Sequence, residues 1–479
     1  MHKKFITNLG LLLFLNLLIK PFWILGIDRS VQNAIGSGSY GVYYALFNFT
    51  FLFNIILDLG ITNFNNKNIA QNNHLLNKHL SSIIMLRGLL AIVYGIITLS
   101  FGFFIGYDSS MLKLLMALIF NQLLISFILY LRSNIAGLHL FKTDSFLSIL
   151  DRLIMIMIMS LILWGHVLNE PLNIKWYVLA QSISYFITAM IVLAIVVKKA
   201  KLKKIKWNWI FFRMILKKSY PYAILVLLMS FYNRIDTVML ERMLPDGAIQ
   251  SGIYAAAYRL LDASNMIAFL FSGLLLPMFA RMLKFKESVE DLVMLSFTLL
   301  ITPAVIVSVG SFFYRHELMQ MLYQQHIEES ATIFGVLMSC FTAISMTYIF
   351  GTLLTANGNL KQLNIMAASG MALNILINYL LIPHYKATGS AFSSLFTQFL
   401  TAFAQIAITQ YIFKFRINYR LILRLSIFVF VTILSFYASK QFQKPWMFSF
   451  SIAVAISILS AFIIRLIHLK NIYKMFRAQ

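Results

Sequence analysis

Long apolar runs, bounded by polar or turn-forming residues, recur along nearly the whole chain. A helix needs about 20 mainly apolar residues to cross the hydrocarbon core of a bilayer. Fourteen runs reach that length: Ile6–Ile27, Tyr40–Phe64, Leu80–Ile105, Met111–Leu138, Ser145–Gly165, Trp176–Val197, Tyr220–Leu240, Gly252–Phe279, Leu292–Phe313, Ile333–Ala356, Leu363–Ile382, Gly389–Phe413, Leu421–Tyr437 and Met447–Ile467. Their connections are short, the longest reaching from Lys198 to Ser219, which leaves no stretch for a separate soluble domain. The pattern predicts an all-α polytopic membrane protein with about 14 transmembrane helices. The run after Met1-His2-Lys3-Lys4 is long, ends at Gly26-Ile27-Asp28-Arg29 without a small-x-small cleavage site and leads into another span. It reads as an uncleaved first helix rather than a signal peptide.

Composition agrees. Hydrophobic residues make up 60% of the 479 and charged residues 12%, with a mean hydropathy of +0.80. Soluble domains run near 45–50% and 25% respectively, so a soluble fold is excluded. The one cysteine, Cys340, lies inside a span, which rules out a disulfide framework or a thiolate metal site. His74 and His79 share a loop but lack helical ligand spacing, and neither a metal nor a cofactor is expected.

Lysine and arginine number 40 against 16 acids, a net charge of +24. In a membrane chain the side on which they fall matters first. With the amino terminus in the cytoplasm, the inner segments hold Lys3, Lys4, Lys67, Lys78, Lys142, the dense Lys198–Lys218 loop, Arg281–Lys286, Lys361, Lys414–Arg420 and Arg465–Arg477. The outer ends hold Arg29, Lys113, Lys175, Arg242, Arg315, Lys386, Lys440 and Lys444. The bias predicts that both termini are cytoplasmic. The central basic loop then fixes topology and meets anionic membrane lipid, and no nucleic-acid partner is implied.

Seven basic residues fall inside spans: Lys20, Arg87, Arg132, Arg152, Arg234, Arg259 and Arg424. Each costs roughly 2.5–3.5 kcal/mol at a helix centre, so such residues ordinarily face a cavity, a partner or a pathway. Lys20 and Arg424 can snorkel towards an interface, which leaves the other five as cavity candidates. Acids inside spans are fewer, namely Asp58, Asp151, Asp236, Glu241 and Asp262. The interior is therefore expected to be net positive and its cargo anionic. On the eighth span Tyr258 and Asp262 are four apart and Arg259 and Asp262 three apart, one polar face that serves a cargo site or a structural ion pair equally well.

A weak internal repeat is visible. Gly41-Val42-Tyr43-Tyr44-Ala45 resembles Gly252-Ile253-Tyr254-Ala255-Ala256, and Ala136-Gly137-Leu138-His139-Leu140-Phe141-Lys142 resembles Thr355-Ala356-Asn357-Gly358-Asn359-Leu360-Lys361. Six helices per copy give two lobes with a pseudo-twofold along the membrane normal, with cargo between them. The expected division is an N-lobe of helices 1–6 in residues 1–197, a basic cytoplasmic linker in 198–219, a C-lobe of helices 7–12 in 220–413, and a terminal helix pair with tail in 414–479. Ser390, Ser394, Thr397, Thr401 and Gln405 form a polar stripe on the twelfth helix, and Asn374 with Asn378 one on the eleventh. Such stripes serve helix packing as readily as a cavity wall.

These residues carry a likeness. Gly38-Ser39-Tyr40-Gly41-Val42-Tyr43, Asp58-Leu59-Gly60-Ile61, Asp236-Thr237-Val238-Met239-Leu240 leading to Gly252-Ile253-Tyr254-Ala255-Ala256-Ala257-Tyr258-Arg259-Leu260, and Asn374, Asn378, Ile382, Pro383, Gly389 and Ala391 occur in that order. Together they resemble the polysaccharide or O-antigen flippases of the Wzx type, within the superfamily of multidrug, oligosaccharidyl-lipid and polysaccharide exporters. The resemblance covers helices one to twelve and implies no enzyme activity. It implies transfer of undecaprenyl-diphosphate-linked oligosaccharide from the inner to the outer leaflet of the bacterial cytoplasmic membrane. It also implies a cationic cavity, a coupling cation or the membrane potential, and polysaccharide assembly proteins as partners. Arginine forks suit phosphate oxygens, which makes Arg87, Arg132, Arg152, Arg234 and Arg259 the cargo candidates. Asp58, Asp236 and Asp262 are the candidate coupling or orienting acids, and Tyr232, Tyr254 and Tyr258 stack on sugars or anchor packing.

Two rivals differ in prediction. A drug or metabolite antiporter of the same superfamily would prefer a less cationic cavity. A membrane polysaccharide polymerase or glycosyltransferase would need catalytic groups in a sizeable external loop, and the longest here, Tyr314 to Ser330, is small.

Overall fold

The computed structural model describes residues 14–62, 65, 69, 75–138, 140–165, 167, 170–200, 209–416, 418–442 and 444–466. The start of the first expected span, Lys3, Lys4, Lys67, His74, residues 201–208 of the basic loop and the tail from residue 467 lie outside them. The described residues are almost wholly helical and contain no strand. Eleven of their helices are long and apolar enough to cross a membrane. Helix is the economical solution because a spanning backbone must satisfy its own hydrogen bonds. Two compact units divide the chain, Met1–Gly252 and Ile253–Gln479.

The first unit begins with α1, residues 14–22, which run through a π-helical turn at Trp23–Asp28 into α2 (Arg29–Leu52). The apolar pattern predicts a connection between Ile27 and Tyr40; the structure keeps this stretch helical and breaks it at one residue, Gly36 (φ 83°, ψ 160°). That region is open essentially to glycine alone. The Tyr40 hydroxyl donates to the Asp28 carboxylate twelve residues back. A straight helix would separate those residues by roughly 18 Å, so the chain reverses at Gly36. The second expected span is also interrupted: α2 ends at Leu52, a 3₁₀ turn occupies Asn54–Leu57, and Leu59 and Gly60 both have positive φ.

There follow α3 (Leu75–Ile105), α4 (Ser109–Gly137), α5 (Phe141–Trp164), α6 (Ile174–Ala200) and α7 (Trp209–Met243). α8 (Gly247–Lys284) starts in the first unit and continues into the second. A core of Leu80, Ile83, Leu86, Leu131, Ile135 and Val192 joins α3, α4 and α6.

The second unit adds α9 (Glu290–Phe313), the short α10 (Arg315–Leu322) within the expected external loop, α11 (Ile327–Ala356), α12 (Leu360–Phe413), α13 (Tyr419–Ser439) and α14 (Trp446–Ile463). α12 holds two expected spans, divided where Pro383 removes a helical donor and Lys386 takes φ 49°, ψ −136°. Asn374 Nδ2 donates to Ser393 Oγ at 3.4 Å, and that hydroxyl donates back to the Asn374 carbonyl at 3.1 Å. In a straight helix they would lie roughly 28 Å apart, so α12 is a helical hairpin. Phe428 and Phe436 of α13 and Ala453 and Ala461 of α14 join Ile301 and Val305 of α9 in one core, which ties the terminal pair to the second unit. Large apolar side chains such as Phe104, Phe396 and Ile463 stay on the outside, where a bilayer would solvate them.

Candidate functional site

The charges inside the helices divide by what surrounds them. Asp58 sits in the turn beyond α2, where the Gly60 and Thr62 amides donate to its carboxylate at 3.1 Å each. Arg87 of α3 forms an ion pair with it. The guanidinium also donates to the Ser126 carbonyl (2.7 Å), the Ser126 hydroxyl (3.1 Å) and the Thr62 hydroxyl (2.8 Å), and lies 4.8 Å over the Tyr130 ring. Arg87 is 6% exposed. Four hydrogen-bonding groups meet its two terminal nitrogens and an aromatic face covers it, while Nε is buried without a partner among the described residues, and the pair ties the broken end of the second span to α3 and α4.

Arg132 and Arg152 belong to a second group. Arg132 Nε donates to the Asp144 carboxylate at 2.8 Å. Arg152 is held less completely: Nη1 donates to the Tyr185 hydroxyl at 2.9 Å, and Nε lies 3.6 Å from Asp151. Its guanidinium stacks 4.4 Å over the Trp23 ring. Lys20, which the apolar pattern assigns to an interface, lies one helical turn before Trp23 and within Coulombic reach of Arg152, Asp151 and Arg132.

Arg234 of α7 lies 3.4 Å from Asn48 Oδ1 and 5.5 Å over the Phe51 ring, both on α2. Asp236, two residues on, is buried. The Arg234 face of α7 thus packs along α2, where Asn48 Nδ2 also meets the Thr237 hydroxyl at 3.3 Å. In the second unit Arg259 is buried and Asp262 half-buried on α8. Tyr254 and Tyr258 stack with centroids 5.6 Å apart, and the Tyr254 hydroxyl lies 3.4 Å from Ser394 Oγ.

The α12 stripe is buried throughout. Thr397 donates to the Ser393 carbonyl and Thr401 to the Thr397 carbonyl, while Asn378 donates to Asn374 Oδ1 at 3.1 Å. Gln405 packs so closely on α11 that a Cβ on Gly351 would lie 2.9 Å from its Oε1. Helix packing accounts for these contacts. Cys340 is buried on α11. Among the described residues no cluster of His, Cys, Asp or Glu has the makings of a metal site. At the α3–α4 connection, burial pushes the Tyr107 phenol well above its ordinary pKa, with Glu241 adding to the effect and Arg242, 5.1 Å over the ring, opposing it.

One functional candidate escapes the apolar pattern altogether. Asp28 reads as the polar end of the first span, yet it is 1% exposed and accepts from the Tyr40 hydroxyl (2.7 Å) and the Tyr177 hydroxyl. Tyr177 packs edge-on against Tyr43, whose hydroxyl accepts from Gln181 Nε2 at 2.8 Å. Only a carboxylate at a span end hints at this in sequence, and span ends are ordinarily wet.

Comparison with known proteins supplies the context for these charges. The lipid II flippase MurJ, in an inward closed conformation, superposes with a TM-score of 0.73 at 15% identity, covering 94% of this chain and 97% of that one. An outward-facing multidrug resistance MATE family transporter of the MOP superfamily matches with a TM-score of 0.62 at 11% identity over 85% of this chain and 95% of that one. A MOP superfamily transporter from Pyrococcus furiosus matches with 0.58 at 10% identity, over 85% and 94%. At these identities the likeness establishes the fold. No curated protein matches the chain. A family model described as polysaccharide biosynthesis protein matches residues 29–283, more than half of the sequence, and the chain therefore belongs to that family.

Proposed function

We propose that this protein is a flippase that moves an undecaprenyl-diphosphate-linked oligosaccharide from the inner to the outer leaflet of the bacterial cytoplasmic membrane. It would supply the assembly of a surface polysaccharide, of which O-antigen on lipopolysaccharide is one form. The observation that carries this reading is membership of the polysaccharide biosynthesis family in a chain with the fold of a lipid II flippase.

Movement between leaflets needs neither a bond made nor a bond broken. It needs a polar path for a charged headgroup, for which in-span cations are the natural lining. On this reading the lobes in residues 1–197 and 220–413, joined by the basic linker 198–219, alternate access to a cationic central cavity. Both termini, and the tail that ends 414–479, face the cytoplasm. Arg132, Arg152, Arg234 and Arg259 contact diphosphate or acidic sugars, whereas Arg87 holds its helices in place. Asp236 and Asp262 couple transport to a cation or to the membrane potential. Assembly enzymes at the outer leaflet take the product.

The test is genetic and chemical. Cells lacking the protein accumulate lipid-linked oligosaccharide on the inner leaflet and lose surface glycan; restored glycan with the parent gene supports the reading, and unchanged glycan in its absence contradicts it.

A further inference from the structure

We infer that the end of α7 which the charge bias assigns to the outer side carries a pH-sensitive seal: Glu241 takes up a proton as α7 closes on the α3–α4 connection and gives it back as they part. This rests on the flippase reading, which requires the lobes to separate, and adds to it a control by acidity.

The internal repeat makes α7 the opening helix of the second copy, yet in this structure α7 lies against helices of the first. Arg234 and Thr237 of α7 reach Asn48 of α2, and Phe231 meets Phe53, at the end of α2, edge-on with centroids 6.0 Å apart. Further out, the Arg242 guanidinium lies 5.1 Å over the Tyr107 ring of the α3–α4 connection. A transporter that rocks one copy against the other parts such a seam in every cycle. The polar bridges suit that. They measure 3.3 Å for Asn48 to Thr237, 3.4 Å for Arg234 to Asn48 and 3.5 Å for Arg242 Nη2 to the Gly106 carbonyl, whereas N–H···O bonds cluster near about 2.9–3.0 Å. Water takes over contacts of that length at little cost.

Glu241 is the exception. It is 9% exposed, its Oε1 lies 3.5 Å from Arg242 Nη1, and its Oε2 is buried without a hydrogen-bond partner among the described residues. The Tyr107 hydroxyl is likewise buried without a partner among them, and Phe49 of α2 packs edge-on against its ring at 5.5 Å. The other charged groups within Coulombic reach of Glu241 are Arg242 on its own helix and Asp108 on the α3–α4 connection. Asp108 is committed to capping α4, where its Oδ1 accepts from the Met111 amide at 2.7 Å.

Burial and charge then set the direction. With the seam open, water solvates the Glu241 carboxylate. With the seam closed, one oxygen loses water and gains no donor, a second carboxylate stands nearby, and the compensating Arg242 side chain is loosely placed and 31% exposed. A carboxyl group tolerates such surroundings far better neutral than charged. Closing therefore takes up a proton and opening releases it, so acid favours the closed seam and alkali the open one. The proton enters and leaves by the same outer mouth, and the device regulates opening without driving transport.

The full-length protein, with Cys340→Ser, carries spin labels at Ser110→Cys in α4 and Pro245→Cys in the α7–α8 turn, both exposed positions, and the distance between them is read in nanodiscs by pulsed electron resonance. From about pH 5 to about pH 8 the ratio of long to short distances is expected to rise, by up to about tenfold per pH unit for one proton. Glu241→Gln, neutral at every pH, is expected to keep the short distance throughout. Asp246→Asn, which alters the carboxylate of the α7–α8 turn, is expected to retain the response. Parent distances that ignore pH, or a response that survives in Glu241→Gln, overturn the seal. The pH series on the parent needs no variant at Glu241, so the proposal can fail even where that variant does not fold. Transfer of lipid-linked oligosaccharide in vesicles separates the two readings: transfer by a parent whose distances ignore pH leaves the flippase reading in place, and a full pH response in a parent that transfers nothing upholds the seal and overturns that reading.

Discussion

Gly41 of α2 and Gly252 of α8 meet backbone against backbone: a Cβ on Gly41 would lie 2.6 Å from the Gly252 amide nitrogen and 1.8 Å from the Ala248 carbonyl oxygen. A Cβ on Gly252 would in turn lie 1.9 Å from the Ser37 carbonyl oxygen. These are the two glycines that the sequence aligns as repeat equivalents. The crossing leaves no space for even a methyl group, and Gln32 Nε2 closes it with a 2.9 Å hydrogen bond to the Gly252 carbonyl.

Gly41→Ala and Gly252→Ala should therefore each force the two helices apart, at a cost of about 1–3 kcal/mol for overpacking. The check is the Tm of the purified protein, with Gly88→Ala as the comparison, since a Cβ there meets nothing within 4 Å. Equal Tm values for all three variants would show that the crossing is looser than described.

Asp58→Ala leaves the buried Arg87 without its partner and should destabilise by about 3–5 kcal/mol; Arg87→Ala leaves a partly exposed Asp58 and should cost less, and both should reduce the amount of folded protein in the membrane. Glycan export per folded molecule should stay near that of the parent, because this arginine holds helices. Export that falls while abundance holds would instead assign Arg87 to the cargo.

Much of this architecture is written in the apolar pattern and some of it is not. Each of the fourteen expected segments falls largely on helix where residues are described, the second only as far as Leu52, because a span must be long and apolar whatever it packs against. Turns were harder to place. One glycine suffices to reverse the chain at Gly36 and one proline with Lys386 to fold α12, and neither needs a polar loop. The arginines stood out because charge inside a span is costly. Which of them is satisfied depends on partners far off in sequence, Asp58 for Arg87 and Trp23 for Arg152, and no spacing rule connects those. Lys20 reads as a snorkelling cation and Asp28 as a wet span end, because both lie where a polar side chain has an easy route to water.

Asp28 accepts from two phenols inside the first unit. Asp28→Asn keeps the shape but gives up the charge-assisted bonds and turns an amide donor towards a phenol donor. A loss of about 1–3 kcal/mol is expected, with Tyr177→Phe costing less. A double-mutant cycle on Tm checks this: non-additivity of the two changes supports a direct bond, and simple additivity argues against it.

The terminal helix pair is anchored at the connection between α13 and α14. Tyr314 is fully buried against Phe436 and Phe450, its hydroxyl lies 2.8 Å from Ser439 Oγ, and Lys440, paired with Glu317, lies 4.5 Å over its ring. Tyr314→Ala should cost about 3–5 kcal/mol through the cavity it leaves. Lys440→Ala should cost no more than about 1 kcal/mol, since the ion pair is partly exposed. Limited proteolysis between α13 and α14 reports the order, and a larger effect from Lys440→Ala than from Tyr314→Ala would reverse the assignment of the anchor.

Transfer between leaflets tests the central claim most directly. Vesicles containing the purified protein are loaded with a fluorescent undecaprenyl-diphosphate oligosaccharide of the structure made by the host, and a membrane-impermeant reductant quenches label exposed outside. The account predicts that label on the inner leaflet becomes quenchable faster than in protein-free vesicles, and that Arg152→Gln slows it. A rate equal to that of protein-free vesicles, with folded protein and the correct cargo, would contradict it.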